Sequence, residues 1–371
     1  MKIANVIISE QSLPNFKNGS WTQRLEYFLK SSKNNINYVV CSEPKNNDIK
    51  SSSKFYYSKN RNSRIVNKFF PNKRYSDFIL KIEKILKEYN QIIICVVDNV
   101  KLLNAISNFI DDKLLKNRVT LLFYNCGYSY FLGQKEHEEF CKNIDEVVFL
   151  TKSAYLYNKK IYKEFTPEIS VINNPINKDV FYPVKKDIYE DEVLEKYNLK
   201  GKTVFLWLSH DRKKKGLSLV LNAWKSWANK GDNNVLLIVG AKRELVIDNV
   251  IFVGQIESSL VDKYYKCAHV YLFPTLWKEG FGLSLSQAIC SGCFSIAANN
   301  GGVEDFFKNK DGILIDEPNI VENWVNAMKI AAQNVENSWQ NENSGNQILN
   351  FNEWAEKFSQ VFNKWQMRLK E

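Results

Sequence analysis

The sequence lacks the features that are typical of membrane-spanning, disulfide-stabilised and metal-binding proteins. None of its hydrophobic runs reaches the roughly 18 apolar residues that a membrane-spanning helix requires. Its 7 cysteines are scattered and suggest no disulfide framework, which fits a reducing compartment. Cys290 and Cys293 have the CxxC spacing, but no second pair accompanies them, so we expect neither metal nor redox use. No Asp-x-Asp sequence occurs to supply a carboxylate pair for a metal ion.

What remains is the composition of a globular protein. The 371 residues are 44% hydrophobic and 25% charged, which is enough for two domains of ordinary size. The first residues, MKIANVIISEQSLP, predict a strand and not a signal peptide. We therefore expect a cytoplasmic protein, either soluble or at the inner face of the cell membrane.

The net charge of +10 is concentrated in one stretch. Residues 51–76 contain seven basic side chains, including Lys68, Lys73 and Arg74, no acidic ones, and several interleaved aromatic rings. Such a stretch can attract an anionic membrane or nucleic acid, and it can equally be a solvated loop. Because no nucleic-acid-binding module is recognisable, we expect no nucleic-acid partner and keep the membrane surface as an alternative.

Short β-rich runs alternate with helical segments along most of the chain, which predicts an α/β fold with parallel sheets. The first series has strands at 2–8, 37–41, 92–97, 119–124 and 146–150, with helices near 21–32, 75–89 and 136–142. The second has strands at 203–208, 235–239, 250–253, 270–273, 294–297 and 313–315, with helices near 216–229, 258–267, 283–291 and 319–334. A turn-rich break near residue 178 separates the two series.

These elements predict two doubly wound, Rossmann-like domains that face a cleft. The N-terminal domain should span residues 1–178, and the C-terminal domain should span 179–345. Residues 346–371 should form a last helix that packs back on the N-terminal domain. Open parallel sheets bind ligands at the carboxyl ends of their strands, so the site should lie there.

One such strand end carries an unusual turn. After the strand at 270–273, Pro274 is followed by Glu279-Gly-Phe-Gly282 and a helix that begins near Leu283. The glycines permit a tight turn and a close approach of the backbone to a ligand, and the free N–H groups of the helix attract an anion. Glu279 can accept hydrogen bonds from hydroxyl groups, and Gln287 can reach a neighbouring polar group. A carboxylate beside an anion site suggests a ligand with a diphosphate and sugar hydroxyls.

The stretch from Pro274 to Gly292, followed by Asn300-Gly-Gly-Val-Glu304, resembles the signature of retaining GT-B glycosyltransferases of family 4, the glycosyl transferases group 1. The resemblance implies that Glu279 contacts the transferred sugar and that the turn of Gly280, Phe281, Gly282 and Leu283 holds the diphosphate. It places Gln287 at the position where the family has a glutamate that binds the ribose of the nucleotide. The glutamine side chain can still form hydrogen bonds with the ribose hydroxyls, but it carries no negative charge.

Other matches follow the same order as in that family. Ser209-His-Asp-Arg-Lys-Lys-Lys-Gly216 is similar to the loop whose arginine and lysine neutralise the donor diphosphate. Lys215 fits the lysine; the arginine's usual place holds His210, and we favour Arg212 because its guanidinium is permanently charged. Gly254 lies where the family has its base-side loop.

The resemblance implies that the domain of residues 1–178 binds the acceptor and that the domain of residues 179–345 binds the nucleotide-sugar donor. It is thinner in the first half of the chain. Gly19 and Ser20 are similar to the glycine loop near the diphosphate. Asn125 or Cys126 stands where many relatives have a histidine close to the reacting sugar, and Asp98 completes the expected acceptor side. The resemblance thus implies a metal-independent hexosyltransferase without a cofactor.

The expected partners are a nucleotide-diphosphate sugar and a glycan or lipid-linked glycan. We predict a role in bacterial surface polysaccharide biosynthesis, such as lipopolysaccharide or capsule, by a cytoplasmic or peripheral membrane enzyme. Two alternatives stay open. A non-catalytic GT-B partner subunit is favoured by the changes at Cys126, His210 and Gln287, and a sugar-nucleotide epimerase would share the fold.

Overall fold

The structure, a computed structural model, describes residues 1–14, 20–44, 49–58, 74–162, 164–186, 189, 191–228, 231–336 and 345–371. The chain divides into two compact units. Unit 1 comprises Met1–Pro175 and Phe351–Glu371, and unit 2 comprises Ile176–Asn350. Both are doubly wound α/β units with parallel sheets, as the sequence predicts. The predicted domain boundaries, 178/179 and 345/346, differ from these divisions by a few residues.

Unit 1 contains a seven-stranded sheet with the order β3-β2-β1-β4-β5-β6-β7. Its strands are β1 (Ile3–Ser12), β2 (Tyr38–Ser42), β3 (Lys54–Ser58), β4 (Gln91–Val97), β5 (Val119–Tyr124), β6 (Glu146–Phe149) and β7 (Glu168–Val171). Its helices are α1 (Ser20–Lys30), α2 (Ser76–Glu88), α3 (Val100–Asp112), α4 (Gln134–Lys142), α5 (Lys152–Ile161) and, from the other end of the chain, α11 (Phe351–Arg368). The strand β4, QIIICVV, is buried on both faces, as expected of a central parallel strand.

The helix α11 completes the core of unit 1. Trp354, Phe358 and Phe362 are fully buried, and the Trp354 and Phe358 rings stack with centroids 5.0 Å apart. A polar contact accompanies this packing, because the fully buried Glu146 at the start of β6 accepts a hydrogen bond of 2.6 Å from the Trp365 indole. The last helix is therefore an integral layer of unit 1.

The basic aromatic stretch is only partly described, since residues 59–73, including Lys68 and Lys73, lie outside the described residues. Its first part is the edge strand β3, which the sequence analysis missed and which pairs with β2. Arg74, expected to add to a positive surface, instead forms an ion pair of 2.6 Å with Glu10. The charge of Arg74 is thus paired with a carboxylate, and the attraction of this stretch to an anionic membrane stays a prediction.

Unit 2 contains a six-stranded sheet with the order β10-β9-β8-β11-β12-β13. Its strands are β8 (Thr203–Leu208), β9 (Asn234–Val239), β10 (Val250–Gly254), β11 (Val270–Phe273), β12 (Phe294–Ala298) and β13 (Gly312–Ile315). Its helices are α6 (Glu192–Lys196), α7 (Leu217–Ser226), α8 (Val261–Cys267), α9 (Leu283–Cys290) and α10 (Val321–Glu336). Every strand predicted for this half is present within one residue.

Two further features bear on the sequence expectations. Across the described ranges, no helix combines the length and the apolar character needed to cross a bilayer. All seven cysteines are free thiols, and Cys126 is the one that is not fully buried. Cys290 and Cys293 do not bond to each other, and the Cys293 thiol donates to the Tyr265 carbonyl at 3.2 Å.

The side chain of His137 on α4 is fully buried and stacks on Tyr162 with centroids 3.6 Å apart. Burial lowers the pKa of His137 from 6.5 to about 4, because the charged ring loses its hydration. Below about pH 6.5 His137 is protonated in the unfolded chain but stays neutral in the native state. The free energy of unfolding should therefore fall as the pH drops toward about 4.

Replacing His137 with phenylalanine keeps a stacked ring but removes the titration. We expect the variant to lose less stability than the wild type over this pH window, whatever its stability at neutral pH. Urea unfolding of both proteins at several pH values measures the two slopes. Equal slopes would contradict the assignment.

Candidate active site

An ion pair joins two loops at the carboxyl edge of the unit 2 sheet. Lys215 follows β8 and Glu279 follows β11, and these strands are neighbours in the sheet. The Lys215 ammonium lies 2.6 Å from the Glu279 carboxylate, and both side chains keep a solvent-exposed part, 26% and 18% respectively. The structure therefore brings together two residues that lie 64 positions apart and that the sequence analysis selected separately.

Thr275 orients the carboxylate of this pair. It is buried, and its hydroxyl donates to the same Glu279 oxygen at 2.8 Å. The hydroxyl and the ammonium thus share one acceptor oxygen. This arrangement fixes one Glu279 oxygen, and the partial exposure of the side chain leaves an edge for a hydroxyl-bearing ligand.

Close backbone packing holds the Lys215 loop in place. Gly216 has a φ of 71°, and a Cβ there would lie 1.9 Å from the Pro274 carbonyl oxygen, so only glycine fits. The Leu276 amide donates to the Lys214 carbonyl at 2.8 Å, which joins the two loops directly. The Trp207 indole donates to the Lys215 carbonyl at 3.2 Å.

The Asn300-Gly-Gly segment holds the backbone of Glu279. The Glu279 amide donates to the Asn300 carbonyl, and the Gly302 amide donates to the Glu279 carbonyl at 2.8 Å. Gly301 has a φ of 79°, and a Cβ there would lie 2.3 Å from the Glu279 carbonyl oxygen. The two halves of the sequence signature are therefore parts of one hydrogen-bonded structure.

The glycine turn leads directly into α9. Phe281 is buried and packs on Phe306 with centroids 4.5 Å apart, which anchors the turn in the core. Gly282, with a φ of 94°, is the N-cap, and Leu283 is the first helical residue. The first amides of a helix have no carbonyl partner within it and carry a partial positive charge, which suits an anion. Gly280 and Gln287 are half-buried on either side of this start.

A cavity of about 620 Å³ lies at the carboxyl edge of the same sheet and is lined by His210, Asp211, Arg212, Gly240, Ala241, Lys242 and Gln255. His210 and Arg212 are exposed, and Ser209 connects them to β8. Arg243 pairs with Asp211 through two bonds of 3.0 and 2.7 Å, and these hydrogen bonds lower the pKa of the Asp211 carboxyl. The Gly254 carbonyl accepts a hydrogen bond of 2.7 Å from the Gly240 amide. Gly240 and Gln255, the residue after Gly254, both line the cavity.

The acceptor-side predictions fall at the ends of β4 and β5 in unit 1. Asp98 is exposed, has a φ of 50°, and accepts a hydrogen bond of 3.0 Å from the Cys126 amide. Asn125 is buried and donates to the Gly127 carbonyl at 3.1 Å, so its side chain holds its own turn. Cys126 is the half-buried residue of the pair. Asn99 serves as the N-cap of α3.

The predicted glycine loop is only partly visible. Gly19 and the side chain of Ser20 lie outside the described residues, and the backbone of Ser20 begins α1. Within the described ranges, no group of three or more histidine, cysteine, aspartate or glutamate side chains could hold a metal ion.

Residues 190–342 match the sequence profile of the glycosyl transferases group 1. This range contains the Lys215–Glu279 ion pair, the glycine turn and the cavity. Residues 190–342 are a glycosyl transferases group 1 domain. A 107-residue segment is also 29% identical to the phosphatidyl-myo-inositol mannosyltransferase of Mycobacterium leprae (strain TN), and the match covers 27% of this chain and 29% of that relative's length.

Solved structures of glycosyltransferases share the fold over nearly the whole chain. Anabaena HepE, solved with UDP and glucose, matches with a TM-score of 0.69 and 13% identity over 96% of this chain and 99% of its own. The lipopolysaccharide outer core galactosyltransferase WaaB matches with a TM-score of 0.70 and 15% identity over 97% of this chain and 99% of its own. The group 1 domain therefore belongs to a chain of GT-B fold.

Three features of the site were not found from the sequence. Thr275 stands inside the signature stretch, yet only the structure reveals its bond to Glu279. The pairing of Asp211 with Arg243 depends on loops after different strands. The Lys214 ammonium lies over the Trp277 ring, 5.2 Å from its centroid.

Proposed function

We propose that the protein transfers a sugar from a nucleotide-diphosphate sugar to a glycan or lipid-linked glycan, with retention of the anomeric configuration. The observation that carries the proposal is the 2.6 Å ion pair between Lys215 and Glu279, held beside the start of α9 within the group 1 domain. Such a site combines an acceptor for sugar hydroxyls with positive charge for a diphosphate.

In this proposal Glu279 binds the transferred sugar through its exposed edge. Lys215 turns from Glu279 toward the diphosphate when the donor binds, and Arg212 adds a second positive charge from the same loop. The free amides at Phe281, Gly282 and Leu283 contribute the dipole of the helix start. Together these groups stabilise the negative charge that develops on the leaving diphosphate, and the proposal assigns no part to a metal ion.

The nucleoside fits the 620 Å³ cavity beside His210 and Arg212. Polar groups from Lys242 and Gln255 line this cavity and can bond a base or ribose, and Gln287 is the proposed ribose contact. The binding of UDP by HepE, a protein of the same fold, supports a nucleoside diphosphate as the ligand class.

The acceptor is proposed to be a growing bacterial surface glycan or glycolipid. Support comes from the names of two relatives, a mannosyltransferase acting on phosphatidyl-myo-inositol and a galactosyltransferase of the lipopolysaccharide outer core. In this proposal unit 1 receives the acceptor near Asp98 and Cys126, and the enzyme works in the cytoplasm or at the inner face of the membrane.

A thermal-shift panel with UDP, GDP, CMP, ADP and dTDP tests the donor site. Ligands that bind only the native state raise Tm, so one of these nucleotides should raise it at tenfold excess over Kd. Lys215→Met should lose the shift, because the diphosphate then lacks its main counter-charge. Lys225→Met, the same substitution at an exposed position of α7, is the matched control and should keep it.

The pattern of results separates the candidate functions. A selective shift that depends on Lys215 supports the donor site and identifies the base. No shift with any nucleotide would overturn the proposal and favour the non-catalytic partner subunit. Turnover of the nucleotide-sugar into another nucleotide-sugar without an acceptor would favour the epimerase.

A further inference from the structure

Unit 1 buries an arginine whose charge has no counter-ion in the described structure. Arg24, in the second turn of α1, is 2% exposed. Its Nη2 donates to the Cys126 thiol at 3.9 Å, which is a long bond to a weak acceptor. Among the described residues, neither its Nε nor its Nη1 has a hydrogen-bond partner. The guanidinium is thus desolvated without the compensation that buried charges normally receive.

A second unsatisfied group adjoins it. Tyr124, at the end of β5, is fully buried, and its hydroxyl lies near the side chains of Arg24 and Trp354. Among the described residues, neither side chain forms a hydrogen bond of good geometry with this hydroxyl. Asp98 lies near this group as well, since its carboxylate accepts a hydrogen bond of 3.0 Å from the Cys126 amide. Nonetheless, the described residues show no ion pair between Arg24 and Asp98.

The position of Arg24 in the fold indicates that it can bind a ligand. In the sheet order β3-β2-β1-β4-β5-β6-β7, the strands β2 and β3 lie on one side of β1, and the strands β4 to β7 lie on its other side. The order of the strands therefore reverses its direction between β1 and β4. Open parallel sheets bind ligands at such a switch point, outside the carboxyl ends of the strands. The helix α1 follows β1, and long helical side chains point back toward the helix start. Arg24 therefore lies at the switch point, where its Nη2 contacts the Cys126 thiol.

We propose that Arg24 is the anion-binding residue of unit 1, and that it takes a carboxylate or phosphate group of an acidic sugar at this switch point. The inference rests on the proposed glycosyl transfer and gives its substrate class. The half-buried Cys126 and the exposed Asp98 mark the opening. An anionic oxygen is a far stronger acceptor than the thiol, so it displaces the long Nη2 contact and supplies the missing counter-charge.

The test compares three sugars that differ only at C6: glucose, glucuronate and glucose 6-phosphate. Titration calorimetry on the full chain should detect binding of at least one of the two anions and none of glucose. Glucuronate alone indicates a carboxylate as the natural group, and glucose 6-phosphate alone indicates a phosphate. Binding of glucose equal to that of the anions, or binding of no anion, would overturn the proposal.

Arg24→Met provides the decisive variant, because it keeps the length of the side chain and removes the charge. We expect it to weaken anion binding at least tenfold while Tm stays equal or rises, since a buried unpaired charge is replaced by an apolar group. A variant that binds the anion as the wild type does would refute the proposal. A fall in Tm of several degrees would show that Arg24 is structural, and would refute it as well.

Arg118 is the matched control in the same unit. Its guanidinium donates to the carbonyls of Leu86 and Tyr89 at 2.7 Å and of Asn90 at 3.0 Å, so it has the partners that Arg24 lacks. Arg118→Met should lower Tm and leave anion binding unchanged. If the nucleotide panel succeeds and Arg24→Met has no effect, only this inference fails; if the panel also fails, the proposed function fails.

Discussion

Replacing Glu279 with glutamine is expected to slow sugar transfer by about 10²–10³-fold while the binding of the nucleoside diphosphate survives. The amide keeps the shape and the bond from Thr275 but cannot pair with the Lys215 ammonium as a carboxylate does. Lys215 then becomes freely available to the diphosphate, so nucleotide affinity should stay equal or improve. Loss of turnover with retained binding is the signature of a group that acts on the sugar.

The measurement is turnover of the sugar nucleotide identified by the panel, together with the thermal shift for its diphosphate. Lys215→Met is the natural comparison, because it should lose both. Thr275→Val is a milder companion that removes only the orienting hydroxyl and should cost about tenfold in turnover, or about 1.4 kcal/mol. Full activity of Glu279→Gln would be incompatible with a role for this residue at the reacting sugar.

Removing the carboxylate of Glu146 is expected to destabilise unit 1 by about 3 kcal/mol. Glu146 is fully buried at the start of β6 and receives the Trp365 indole at 2.6 Å and the Lys364 ammonium at 2.8 Å. Ser170 also donates to it. In Glu146→Ala the indole N–H and the ammonium lose their common acceptor, and a cavity remains beneath α11.

Thermal unfolding should report a fall in Tm of about 6–12 °C, given roughly 2–4 °C per kcal/mol for a unit of this size. Hydrogen exchange should locate the loss in α11, whose amides should exchange faster than those of β4. Glu168→Ala is the matched control, because Glu168 pairs with the same Lys364 but is 45% exposed, and exposed pairs contribute at most about 1 kcal/mol. Equal effects of the two substitutions would contradict the importance of burial.

The sequence predicted the fold of unit 2 best. Unit 2 alternates apolar strands with helices at regular spacing, and its glycines stand where the backbone permits no side chain. Gly216 and Gly301 show why the signature is readable: a Cβ at either would collide with a backbone oxygen within 2.3 Å. Constraints of this kind act within one loop or between adjacent loops, so they leave a local trace in the sequence.

The prediction also missed β7, α3 and α5 in unit 1. Several other features that were missed depend on contacts between distant positions. The strand β3 is a short edge strand, Lys-Phe-Tyr-Tyr-Ser, in a stretch whose basic charge suggested a surface loop. Arg74 pairs with Glu10, 64 positions away, and the buried Arg24 contacts Cys126, 102 positions away. Local pattern cannot reveal a partner that tertiary packing supplies. The same limit explains why burial of His137 and the Thr275 bond were not foreseen.

The return of α11 to unit 1 has a consequence for biosynthesis. A ribosome must make all of residues 176–350 before it reaches Trp354 and Phe358, the side chains that cover Phe28. Unit 2 can thus reach its native state while the nascent unit 1 still exposes an apolar face. Translation therefore reverses the usual order in which the first domain folds first, and it creates an interval in which unit 1 needs protection from aggregation.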